Sequence, residues 1–199
     1  MIIIGVTGSL ASGKSEVAKI LKVKRGAKIF DADVAARQAI EKGRPAYKAI
    51  LKIFGKGYLG RDGQLDRKKL AARVFSHPED LKKLNILIHP GVIFECFKMI
   101  EQNKKTADIL VLDVPLLFES KMESLADYTV LIAADKKKIL HRAKKKGMSD
   151  ALTKKILATQ WPLRKKTRLA DYVIKNNGSL KELERKILEV AEKIKLKKK

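Results

Sequence analysis

Residues 2–15 constrain this chain more than any other stretch. Ile2-Ile-Ile-Gly-Val-Thr-Gly8 is rich in β-branched residues, and it runs into Gly8-Ser-Leu-Ala-Ser-Gly13-Lys14-Ser15, the pattern G-x-x-x-x-G-K-S. The apolar run predicts a buried parallel strand, because strands covered on both faces read as continuous hydrophobic runs. The loop predicts a cradle of backbone N–H groups around a phosphate chain. Lys14 then reaches β- and γ-phosphates, and the Ser15 hydroxyl can ligate Mg²⁺. A helix starting at about Gly13, with Val17, Ile20 and Leu21 on one face, turns its positive end toward the same anion. With a strand before it and an amphipathic helix after it, an ordinary glycine turn is the poorer reading.

The bulk properties set the frame. A chain of 199 residues with 45% hydrophobic content can bury one good core with small excursions. No apolar run approaches the roughly 20 residues that span a bilayer. The start lacks a basic n-region and reads as a core strand, not a signal peptide. The single cysteine, Cys96, excludes an internal disulfide framework and suits a reducing, cytoplasmic setting. The histidines His77, His89 and His141 show no zinc spacing. The formal net charge is +23, yet aromatics are only 6% and do not alternate with the basic residues. A stacking platform for nucleic acid is therefore disfavoured. Solvated lysines, some gathered in Lys195–Lys199, and attraction of phosphorylated ligands account for the charge better.

Further along, Gly26–Asp33 reads as a short strand ending in two carboxylates. Ligands of open α/β sheets sit at the carboxyl ends of strands, so Asp31 and Asp33 emerge near the chemistry. Asp31 reads first as a helix N-cap and Asp33 as functional. Arg37 falls four residues after Asp33, on the same helix face. Residues 43–95 read as a helical insertion. It has helices over Tyr47–Phe54 and Leu65–Phe75, one opening at Ser76-His-Pro-Glu79 and ending at His89-Pro90, and another continuing through Met99. His89 is then most simply a helix-terminal residue.

The strand Ile109–Leu112 ends in Asp113, where an acid can hold the metal's water shell. Leu116, Leu117 and Phe118 read equally as an apolar substrate wall or as core. Strands follow at Tyr128–Ala134 and Ala170–Ile174. Between them lie two basic helices, Asp135–Lys146 and Ser149–Gln160, broken at Gly147. Cationic helices in this place suit a phosphate-closing lid carrying Arg142, although most of their lysines read as a solvated face. Leu180–Ile194 closes the chain as an amphipathic helix. The strand–helix alternation predicts a parallel sheet covered on both faces.

Taken in order, G-x-x-x-S-G-K-S at 8–15, Asp31-Ala-Asp33 with Ala36-Arg37-Gln38, Leu84-Asn85 with His89-Pro90, Val114-Pro-Leu-Leu-Phe-Glu119, Gln160, and Ala170-Asp-Tyr-Val-Ile with Asn176-Asn-Gly-Ser179 resemble the dephospho-CoA kinase family across nearly the whole chain. The resemblance implies transfer of the γ-phosphate of ATP to the ribose 3′-hydroxyl of dephospho-CoA, giving coenzyme A and ADP with Mg²⁺. It implies the α/β fold of P-loop nucleotide kinases: three α/β/α layers on a five-stranded parallel sheet, a helical CoA-binding insertion and a lid. The expected organisation is one kinase domain over 1–199, with the insertion at about 43–95 and the lid at about 135–165.

By the resemblance, Asp33, Lys14 and Arg142 are catalytic. Gly8, Ala11, Ser12, Gly13, Lys14, Ser15, Glu16, Asn177 and Gly178 bind ATP, with Asn177-Gly178 near adenine. Asp33, Arg37, His89, Leu116 and Leu117 face the acceptor, and Ser15 and Asp113 serve the metal. The expected partners are ATP and dephospho-CoA alone, with no membrane, in a cytoplasmic monomer or small homo-oligomer. The alternatives are another P-loop small-molecule or nucleotide kinase, or a basic nucleic-acid-binding protein with a non-catalytic loop.

The sequence departs from the family pattern in places. Ser9, Leu10 and Ala11 stand where the loop usually has Gly, Ile and Gly. Glu16 replaces a common Thr, Lys146 and Lys155 replace arginines, and Trp161 replaces Met. Alanine at position 11 is comfortable only if that position does not require a positive φ.

Overall fold

The computed structural model describes residues 1–197. Residues 32–99 form one compact unit, and the residues on either side of them form the other.

The flanking unit holds a sheet of β1 (Ile2–Gly8), β2 (Lys28–Asp31), β3 (Ile109–Asp113), β4 (Tyr128–Ala133) and β5 (Tyr172–Lys175). The order is β2-β3-β1-β4-β5, and every pairing is parallel. The expected five-stranded parallel sheet is therefore present, with β1 at its centre. β1, β3 and β4 are largely buried on both faces, which is why they are predominantly apolar, with Thr7, Thr129 and Asp113 as their polar members. One face is covered by α1 (Lys14–Arg25) and α9 (Leu180–Lys197). Ile4, Val6, Val17, Leu21, Val130, Ile187 and Ile194 meet there in a shared core. Each large side chain so buried contributes about 1.5–3 kcal/mol. Lys24–Glu184 at 3.0 Å and Arg25–Glu192 at 2.5 Å join α1 to α9, but exposed pairs add at most about 1 kcal/mol each. On the opposite face, Leu117 and Ala126 close over Gly5.

After β4 come α6 (Lys136–Lys145), α7 (Asp150–Thr159) and α8 (Leu163–Leu169). Gly147, at φ 79°, separates the first two as expected. The sequence gives no local signal for α8, since Leu-Arg-Lys-Lys-Thr-Arg-Leu shows no clear apolar stripe.

The 32–99 unit contains α2 (Ala32–Ala39), α3 (Pro45–Phe54), α4 (Arg67–Val74) and most of α5 (Pro78–Asn103). Ile40, Tyr47, Ile50, Leu70, Val74 and Leu84 form its own core. One expectation is corrected here. The chain does not break into two helices at His89-Pro90, because α5 runs through Pro90 without interruption. Proline costs one backbone hydrogen bond and crowds the preceding turn. Buried residues on both sides of it, Leu84, Val92 and Cys96, hold the helix together across that fault. Among the described residues, no helix is long and apolar enough to cross a membrane.

Candidate functional site

The loop after β1 is shaped by what glycine lacks. A Cβ on Gly8 would strike the Ile132 carbonyl and lie 2.7 Å from Ser12 Oγ, and one on Gly13 would strike Asn176 Nδ2. Gly13 caps α1 at φ 109°, in the left-handed region. Ser12 N–H closes the turn on Ser9 O at 3.1 Å. Lys14 is buried, and its Nζ donates to Gly8 O at 3.0 Å and to Ser9 O at 3.1 Å. The ammonium thus arches back over the loop's own mouth. Ser15 is exposed in the first turn of α1, and Glu16 pairs with Lys19 at 3.1 Å. Ala11 adopts φ 54°, so the loop does require a left-handed residue where glycine is absent.

Beside the loop, β3 ends in Asp113, which is buried and lies in register with Val6 of β1 and Asp31 of β2. Adjacent strands therefore present two carboxylates at the same end of the sheet. Among the described residues, no group of three or more His, Cys, Asp or Glu could cage a metal. The donors near the loop, one hydroxyl (Ser15) and one carboxylate (Asp113), match a Mg²⁺ that keeps several waters and takes its other ligands from phosphates.

Arg142 of α6 reaches the loop from outside. Its guanidinium donates to Ser12 O at 3.2 Å, to Asn176 O at 3.0 Å and to Asn176 Oδ1 at 3.4 Å. Asn176 Nδ2 also donates to Ser12 O, at 2.8 Å. Asn177 turns away to accept the Asp135 N–H at 2.9 Å, at the start of α6. Gly178 is exposed, and a Cβ there would strike the Glu182 carboxylate. Leu10 N–H donates to Gln160 Oε1 at 3.3 Å. Of the apolar trio, Leu117 and Phe118 are core and Leu116 is half-buried. The loop contacts of Asn176 and Gln160 had no role assigned from sequence. The one sequence signal for Asn176 is its place beside Asn177-Gly178 in the loop after β5.

Within the 32–99 unit, Asp33 and Arg37 are exposed on α2, and His89 is half-buried on α5. Burial lowers the His89 pKa below its ordinary value. A Cβ on Gly91 would lie 3.0 Å from Ala39 Cβ, so α5 crosses α2 closely. Arg37 and His89 each lie within two residues of that crossing.

The sequence profile of the family described as "Dephospho-CoA kinase" matches residues 2–182. The chain belongs to the dephospho-CoA kinase family. A dephospho-CoA kinase of Carboxydothermus hydrogenoformans is 42% identical, covering 98% of this chain and 95% of that one. One from Geobacillus kaustophilus is 38% identical over 94% of each. Among solved structures, the dephospho-CoA kinase of Campylobacter jejuni aligns with a TM-score of 0.68 at 28% identity, covering 96% of both chains. A shikimate kinase of Acinetobacter baumannii, at 16% identity and TM-score 0.56 over 98% of this chain and 96% of its own, shares the fold alone. The three-layer P-loop kinase architecture expected from the sequence is thus the one this family member has.

Proposed function

We propose that this chain transfers the γ-phosphate of ATP to the ribose 3′-hydroxyl of dephospho-CoA, yielding coenzyme A and ADP. The observation that carries the reading is the family match over residues 2–182, because it runs through the acceptor-side segments as well as the loop. Phosphoryl transfer passes through a loose transition state, so positioning and charge neutralisation matter more than a strong base.

In this reading the loop's N–H groups and the α1 N-terminus hold the phosphate chain. Lys14 leaves the Gly8 and Ser9 carbonyls for β- and γ-oxygens. Arg142, already seated on Ser12 O and Asn176, adds positive charge behind the loop. Ser15 and Asp113 would hold Mg²⁺, which supplies further neutralisation of the phosphate oxygens. Asp33 orients the acceptor hydroxyl and receives its proton as the new O–P bond forms and the bond to ADP breaks. Arg37 and His89 bind the acceptor, Leu116 offers apolar surface and Asn177-Gly178 lie toward adenine, whereas Leu117 is fully buried and stays in the core. We assign residues 32–99 to acceptor binding and 135–165 to the lid, in a cytoplasmic enzyme.

The test is to supply Mg-ATP and dephospho-CoA and follow ADP and CoA. Lys14→Ala is expected to cost at least about 10²–10³-fold in rate, the scale for losing a charge-stabilising donor. Asp33→Asn is expected to cost about 10²–10⁴-fold with the fold intact. A folded wild type that forms no CoA overturns the assignment, and an undiminished Asp33→Asn rate overturns only that residue's role.

A further inference from the structure

Lys166 is fully buried, although it lies in one of the most basic stretches of the chain. Its Nζ sits 2.7 Å from Glu119 Oε1, and the Glu119 side chain is only 12% exposed. Glu119 Oε1 also accepts the Trp161 backbone N–H at 2.9 Å. Lys166 Nζ donates in addition to Pro115 O at 3.4 Å, which accepts the Thr7 hydroxyl at 3.2 Å. Burying two ions carries a large desolvation cost, and well-packed apolar residues often serve stability as well or better. A buried ion pair is therefore weak ground for a stability role and better ground for a positioning one.

The contacts name the target. Trp161, gripped through its N–H, directly follows Gln160, whose side chain accepts the Leu10 N–H of the phosphate loop. Pro115 lies two residues beyond Asp113, and Thr7 directly precedes Gly8. The pair thus joins α8 to the exit of β3 and to the end of β1, and it fixes the point from which Gln160 reaches the loop.

We infer that Glu119 and Lys166 are a positioning pair for the phosphate loop, acting through Gln160 on Leu10 and through Pro115 on Thr7. Neither residue touches the nucleotide. Their effect falls on ATP affinity and spares the acceptor. The inference rests on the reading that residues 8–15 bind ATP.

The test is calorimetric titration of Mg-ATP into the whole protein, beside KM values for both substrates. The variant Glu119→Leu/Lys166→Met removes both charges together and leaves no unpaired buried ion. Gln160→Leu removes the acceptor for Leu10. Each is expected to melt as a folded protein, to bind ATP roughly three- to tenfold more weakly, the worth of about one hydrogen bond, and to keep its KM for dephospho-CoA within about twofold. The triple variant is expected to lose less than the product of the two separate losses, because one of the pair's two routes runs through Gln160. Wild-type ATP affinity in the folded charge-free variant overturns the inference. So does wild-type affinity in Gln160→Leu alone, should the charge-free variant not fold. Losses that multiply in the triple variant also overturn it. Titration of ATP needs no acceptor, so failure to make CoA and failure of the positioning pair are separate results.

Discussion

Replacing Ala11 with glycine tests whether the phosphate loop carries strain that this sequence leaves unrelieved. Ala11 sits at φ 54°, and the only other non-glycine with positive φ among the described residues is Lys121. An L-residue in the left-handed region costs about 1–2 kcal/mol, because Cβ crowds the following carbonyl. Glycine escapes that cost but surrenders more backbone entropy on folding, about 0.4–1 kcal/mol. The difference predicts that Ala11→Gly stabilises the protein by about 0.5–1 kcal/mol. For a chain of this length, 1 kcal/mol moves the melting temperature by roughly 2–4 °C, so a rise of about 1–4 °C is expected. Thermal and urea unfolding of the two proteins without nucleotide measure it. Ala11→Val should move the other way, since a β-branched side chain tolerates this conformation worse than alanine. A glycine variant that melts lower than wild type refutes the reasoning, because glycine at an ordinary negative φ would bring only its entropic cost.

Two titratable groups make separate predictions. Cys96 is fully buried, with burial pushing its thiol up to about 12, so the native protein should not react with a thiol reagent at pH 8, and denaturant should release one reactive thiol; fast native labelling would contradict the burial. His89 is held below the ordinary 6.5 by burial, so as pH falls from about 7 the unfolded chain takes up the proton first and stability drops until the lower folded value is reached. His89→Gln removes that loss, and the urea midpoint of the variant should therefore fall less than that of wild type between pH 7.5 and 5.5.

What the sequence made legible was local or periodic. Residues 2–15 carry strand, turn and helix in contiguous chemistry, and the apolar run ending at Asp113 marks a buried strand without any tertiary knowledge. What it hid was non-local. Nothing in Leu163–Leu169 says which lysine is buried, because the partner Glu119 lies far earlier in the chain. The Asn176-Asn-Gly-Ser179 segment announces a loop, but only the approach of Gly13 decides that Asn176 meets the phosphate loop while Asn177 holds the start of α6. Pro90 misled for the opposite reason. A local rule ended the helix there, and packing at Leu84, Val92 and Cys96 overrode it.

The same distinction ranks the loop's departures from its family. Position 9 contributes its carbonyl, which accepts from Lys14 Nζ and from the Ser12 N–H. A backbone acceptor is indifferent to whether serine or glycine carries it, so Ser9 costs the loop little. Glu16 placed in the first turn would repel phosphates if it faced them, but its carboxylate is engaged by Lys19 one turn on, at 3.1 Å. There it complements the helix dipole at the surface. Lys146 and Lys155 are exposed, where a point charge and a guanidinium fork differ least. Ala11 is different in kind, because its cost lies in the backbone, where no neighbouring side chain can screen or pair it away. The loop's strain therefore concentrates at one residue.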